Sequence, residues 1–194
     1  TITLSMATPK NVVVVRSDAH VTIGGSGYIS GMASLNKTGS GTLTVATDQQ
    51  YIGATVLHQG TYEFSTLKNG GVASGLGMSQ EFSQNWIFDG GTYLYTGGST
   101  ATNRSAKLYS DTELNIAKSG AVVTMNGSFE GDGSLTVNGE GQLLVNTDGF
   151  FKYNGDLVLA GGEVKLASKT VSDAGIGSAT KLVMAGGKFT TVGT

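Results

Sequence analysis

TLTVATDQQYIGATVLHQGTYEF, residues 42–64, holds three short apolar runs: TLTV (42–45), ATVL (54–57) and TYEF (61–64). Each is rich in Thr, Val, Leu and Tyr and alternates in period 2, the pattern of a half-buried β-strand. Working outward, the pattern recurs as VVVV (12–15) and VTI (21–23) on one side. On the other stand ELNI (113–116), VVTM (122–125), SLTV (134–137), QLLV (142–145), DLVL (156–159), EVKL (163–166) and KLVM (181–184). Between the runs lie Gly-Ser-Gly, Gly-Asp-Gly, Asn-Gly and Gly-Gly, which supply positive φ at tight corners. No 12-residue window carries a helical apolar stripe, so the chain reads as all-β.

Much of the chain also repeats itself. Asn11–Ile23 lines up with Glu113–Met125, about 102 residues on, and Thr42–Asp48 and Gln59–Phe64 line up with Gln142–Asp148 and Gly161–Leu166. A sandwich or barrel needs longer strands joined by hairpins. Short strands, glycine corners and a long fixed period suit a parallel β-solenoid, with three strands and roughly 21 residues per coil. The expectation is a single solenoid over 1–194 of about 8–9 short coils, roughly 40 Å long. It would be made of two degenerate units, approximately 11–95 and 113–192. In Gly162-Glu163-Val164-Lys165-Leu166 the charges must face water, so Val164 and Leu166 face the core. The same register turns Tyr62, Phe64, Tyr93, Tyr95 and Phe189 inward.

Composition bounds the function. Gly is 31 of 194 residues and Pro only 1, which excludes collagen and Pro-rich linkers; 39% hydrophobic with 13% charged residues builds a core. A net charge of −2, with Lys and Arg scattered singly, gives no reason to bind nucleic acid. No run approaches the roughly 18 apolar residues of a membrane-spanning helix. The absence of Cys removes disulfides, thiolate metal sites and cysteine nucleophiles. Starting Thr1-Ile2-Thr3-Leu4 and ending in mid-pattern, the chain reads as a piece of a longer polypeptide.

Leu35–Phe64 and Gly175–Phe189 resemble the autotransporter-associated β-strand repeat of bacterial surface and secreted proteins, with Trp86–Val137 similar to the stretch between repeats. The likeness is sharpest in Lys37-Thr38-Gly39-Ser40-Gly41-Thr42-Leu43 and Tyr51-Ile52-Gly53. It is degraded where Val137-Asn138-Gly139-Glu140-Gly141-Gln142-Leu143 replaces the lysine-threonine motif. The resemblance implies a right-handed parallel β-helix in an exported passenger or stalk, at the cell surface or secreted, with no catalytic residues of its own.

Candidate chemistry is sparse. His20 and His58 align with Val122 and Ala160 in the sister copy, and nothing fixes either between a nucleophile and an acid. Asn146-Thr147-Asp148 resembles an element of polygalacturonases, but the partner elements of that family are missing and Asp48 occupies the matching turn. Gly131-Asp132-Gly133-Ser134 and Asp111 lack the stacked oxygen donors of a calcium coil and read as corners. No metal site and no cofactor is expected. Stacking of aromatic rings on sugar faces makes Trp86, Tyr109, Phe150 and Phe151 the candidate ligand platforms; Phe150 and Phe151 are adjacent, so one should point outward.

The reading is a non-catalytic structural or adhesin-like segment; the alternative is a carbohydrate-binding or ancillary module of a polysaccharide-degrading enzyme. Expected partners are the rest of a larger polypeptide and a glycan or host surface. Open coil ends add self-association, end-to-end or edge-to-edge.

Overall fold

The computed structural model describes residues 1–4, 7–9, 11–146, 151–167 and 181–191. Every pairing between the described strands is parallel, and each strand inside a ladder pairs with the strand one coil below and the strand one coil above. The result is a three-faced β-solenoid. Face one is a ladder of nine strands: Ile2–Leu4, Val21–Gly25, Thr42–Val45, Thr61–Phe64, Thr92–Tyr95, Thr112–Ile116, Leu135–Gly139, Leu157–Leu159 and Leu182–Met184. Face three has seven, from Val12–Arg16 to Phe151–Tyr153. Face two is split into three strands (Ala7–Pro9, Tyr28–Gly31, Gln50–Tyr51) and five (Thr100–Thr102, Val122–Met125, Gln142–Val145, Glu163–Leu166, Lys188–Thr191). No α-helix occurs among the described residues; one 3₁₀ turn spans Ser83–Asn85.

Coil length follows the sequence period with one exception. On face one Thr42 pairs with Thr61, Thr61 with Thr92, and Thr92 with Glu113, steps of 19, 31 and 21 residues. The long step contains the break in face two. It also explains the repeat. Less the roughly ten extra residues of the long coil, a 102-residue offset is about four and a third coils of roughly 21 residues. The matched segments therefore stand one face apart. Thr42–Val45 lies on face one and Gln142–Val145 on face two; Thr61–Phe64 and Glu163–Leu166 differ in the same way. What matches is the strand-and-corner pattern, common to all three faces.

Alternation places the core. Val164, Leu166, Tyr62, Phe64, Tyr93 and Tyr95 are all buried, as their register requires, and Phe189 is half-buried against the column. The interior has two characters. Leu135, Val137, Leu143, Val145, Leu157 and Leu159 make the later coils mainly aliphatic on faces one and two, with Phe151 and Tyr153 buried on face three. The middle holds stacked rings, with Phe88 and Tyr93 centroids 4.5 Å apart, Trp86 and Phe88 5.1 Å and Phe64 and Tyr95 5.4 Å. Each buried ring contributes on the order of 2 kcal/mol from transfer alone.

The lysine-threonine motif is a corner built by its own side chain. Lys37 is fully buried, and its Nζ donates to Thr38 O (2.8 Å), Gly39 O (2.6 Å) and Gln59 O (3.3 Å). Burial lowers the Lys37 pKa, partly offset by Asp18. A Cβ on Gly41 would sit 2.2 Å from Ala19 O, so the coils close here only around glycine.

Candidate functional site

Where face two loses its strand, residues 65–85 make an excursion; among the described residues its one β-bridge to the coil below is antiparallel, between Gln49 and Ser74, and Met78 N adds a bond to Tyr51 O at 2.7 Å. Backbone groups with no ladder partner must be satisfied otherwise. Here side chains do it. Tyr62 Oη donates to Gly75 O at 2.7 Å and Thr55 Oγ1 to Leu76 O at 3.1 Å. Arg104 supplies most of the rest: Nε donates to Lys68 O (2.9 Å), Nη1 to Ser79 Oγ (3.0 Å) and Nη2 to Gly77 O (3.0 Å), with longer contacts to Val72 O and Asn69 O.

Arg104 is 1% exposed, and no ion pair to it forms among the described residues. Burial pulls its pKa down, but from so high a reference that the guanidinium stays charged, solvated by carbonyl dipoles. Gly77 lies against the Tyr51 ring at φ +74°, where an added Cβ would stand 2.5 Å from a ring carbon.

The outer rim is tied to both neighbours. Asp48 accepts from Thr66 Oγ1 at 2.5 Å and Lys68 Nζ at 2.6 Å. Burial pushes the Asp48 carboxyl up, but these bonds outweigh it and hold the pKa below the usual value. Asn69 and Asn103 are cross-linked: Asn103 N donates to Asn69 Oδ1 (2.9 Å) and Gly70 N to Asn103 Oδ1 (2.8 Å). Held on all sides, the excursion still presents Val72 and Phe82, 46% and 55% exposed.

The histidines sit on coil corners and face edges. His58 Nδ1 lies 2.7 Å from Asp89 Oδ2, and Ser110 Oγ donates to Asp89 Oδ1 at 3.2 Å. The carboxylate stands between serine and imidazole, so the serine is not bonded to a base; a triad needs the histidine in the middle. His20 Nε2 contacts Thr44 Oγ1, which donates to Glu63 Oε2, a surface chain on face one. Gly131-Asp132-Gly133 forms a corner, with Asp132 accepting from Asn154 Nδ2 and Asp111 from Ser134 N. A shallow groove of about 360 Å³ lies between Gly120–Val122, Glu140–Gln142 and Gly162–Glu163. Its Glu163 is held below the usual carboxylate range by bonds from Thr190 and Gln142.

The four candidate platforms do not come together. Trp86 is 1% exposed, packed on Phe88, Tyr93 and Phe129. Phe151 is fully buried, in register with Phe129 and beside Tyr153. Both rings are inward because Trp86-Ile87-Phe88 and Phe151-Lys152-Tyr153 are three-residue strands whose outer residues share the core side. Tyr109 is exposed, on the corner after Ala106–Leu108. Phe150, like Thr147, Asp148 and Gly175–Thr180, lies outside the described residues.

With this geometry in place, the likeness to known proteins is informative. The chain is 39% identical over 111 residues, 56% of its length, to the adhesin BmaC autotransporter of Brucella suis biovar 1 (strain 1330). It spans about 3% of the length of that protein. No family model matches the chain, and no solved structure matches it.

Proposed function

We propose that this chain is a non-catalytic, adhesin-like β-solenoid segment of a larger bacterial surface or secreted protein. What carries the reading is the coincidence of a parallel solenoid with a nine-stranded ladder along one face and 39% identity to an autotransporter adhesin. A solenoid satisfies its backbone from coil to coil, so it can project side chains along a long surface without a closed domain at each step. The same coil-to-coil logic makes the chain one section of a longer rod, its neighbours in the polypeptide stacking on its ends.

Antibodies raised against the chain should label unpermeabilised cells that make it, and protease added outside should remove the label. Labelling that requires permeabilisation, with no antigen in the medium, defeats the surface assignment.

A further inference from the structure

Asn-Gly pairs stand at 69–70, 126–127, 138–139 and 154–155. With no Cβ on the glycine, its nitrogen meets little obstruction on the way to the preceding carboxamide. Asn-Gly is also an ordinary turn pair, so the sequence alone singles out none of the four. Their surroundings do. At Asn69 the carboxamide oxygen accepts from Asn103 N (2.9 Å) while Gly70 N donates to Asn103 Oδ1 (2.8 Å). The two groups that could react with each other are thus both turned to a third residue. At Asn126 and Asn154 the carboxamide reaches along the rod: Asn126 Oδ1 accepts from Asn146 Nδ2 (2.9 Å), and Asn154 Nδ2 donates to Asp132 Oδ1 (2.7 Å).

Asn138 is folded back on its own backbone. Gly139 N donates to Asn138 Oδ1 at 2.8 Å, which sets that nitrogen beside Cγ, one bond from the oxygen. Two neighbouring coils hold the carboxamide there. In the coil before, Glu113 Oε1 accepts from Asn138 Nδ2 at 3.2 Å and from Asn115 Nδ2, the register partner's amide, at 3.0 Å. In the coil after, Gly161 leaves the space, since a Cβ on it would stand 2.6 Å from Asn138 Oδ1. Holding two reacting groups near contact removes much of the entropic part of a barrier. Asn138 is only half-buried, so water has access.

We propose that Asn138-Gly139 is a self-modifying site whose co-reactant is water. The Gly139 nitrogen, its proton lost to hydroxide, bonds to Asn138 Cγ. Nδ2 gains a proton and leaves as ammonia, closing a cyclic succinimide. Water then opens either carbonyl of the ring, giving aspartate on the original backbone or isoaspartate with the chain running through Cβ and Cγ. In sum one water enters and one ammonia departs, with no oxidation or reduction. Either product sets a second carboxylate near Glu113, and like charges repel. Isoaspartate also adds a backbone carbon just before Gly139, where φ is +98° and even a Cβ would meet Ile116 O at 2.3 Å. That corner has no slack, so the ladder between Thr112–Ile116 and Leu135–Gly139 loosens as the molecule ages.

The test is mass spectrometry of the full chain aged at neutral pH in water enriched in heavy oxygen, so that only deamidation during ageing carries the label. Asn138 should convert at least about threefold faster than Asn69, Asn126 and Asn154, to a mixture of aspartate and isoaspartate. Glu113→Ala frees the carboxamide and Gly161→Ala displaces it; each should slow Asn138 about threefold and leave the other three rates unchanged. Glu113→Gln, which keeps an acceptor, should restore the wild-type rate. The wild-type ranking needs no variant, so it decides even where a substitution disturbs the fold. Conversion of Asn138 no faster than that of Asn69 overturns the site. Aspartate without isoaspartate overturns attack by Gly139, since direct hydrolysis gives aspartate alone. Aged chain should lose hydrogen-exchange protection in Thr112–Ile116 before Thr42–Val45, and equal protection in the two strands overturns the loosening.

Discussion

The coil running from Thr61 to Phe88 and the one running from Leu135 to Tyr153 enclose the same column by different means. The later coil closes three faces with backbone ladders around aliphatic side chains and the rings of Phe151 and Tyr153. The earlier one gives up the ladder on one face and replaces it with two hydroxyls and a guanidinium. The regular coil is insured by repetition, since each strand's donors are renewed by its neighbours. The irregular one concentrates its hydrogen bonds in a few side chains, where removing one partner leaves several carbonyls buried and unmet.

Substitutions should expose that contrast. Trp86→Ala, which empties the densest part of the aromatic stack, should cost about 3–5 kcal/mol in chemical denaturation. Arg104→Met keeps the bulk but strips the donors from Lys68, Gly77 and Ser79, and should cost about 2–3 kcal/mol. Its signature is local: limited proteolysis should cut at Lys68 while hydrogen exchange on the strands Leu135–Gly139 and Gln142–Val145 stays slow. Equal loosening of both regions would mean that the guanidinium supports the whole column. Lys37→Met, at a corner that keeps its ladder, should cost less, about 1–2 kcal/mol.

The pH dependence differs along the rod as well. Burial raises the phenol pKa of Tyr51, Tyr62 and Tyr93 above the unfolded value. The folded state thus holds these protons more tightly, so their stabilisation is complete below about pH 10 and is lost as pH rises beyond it. The coils holding these tyrosines should lose exchange protection in alkali before the strand Val122–Met125, whose coil buries no tyrosine, does. At the other end of the scale, Tyr109→Ser on an exposed corner should change the melting midpoint by less than the equivalent of about 0.5 kcal/mol.

Sequence alone made the regular part legible. Glu163 and Lys165 fix the phase of their strand, and that phase carried over correctly to Tyr62, Phe64, Tyr93 and Tyr95 because a positive-φ glycine (Gly60, Gly91, Gly162) stands two residues before the first inward residue of each strand. Phe189 is only half-buried because no described coil covers it. Trp86 and Phe151 resisted because their strands hold only three residues each. Their phase comes from partner strands one coil away, which a single sequence does not display. The excursion was equally hidden: its Gly, Ser and Asn look like any other corner, and only the 31-residue step between Thr61 and Thr92 betrays it. Arg104, in Thr102-Asn103-Arg104-Ser105, carries no local sign that it turns inward.

The single antiparallel bridge at Gln49 and Ser74 has a further consequence. Because every turn of the rod answers only to the turns directly beneath and above it, about ten residues were accommodated in one storey without shifting the phase of the next. Such a scaffold accepts local edits one floor at a time, so length and decoration can diverge between related molecules while the shaft stays the same.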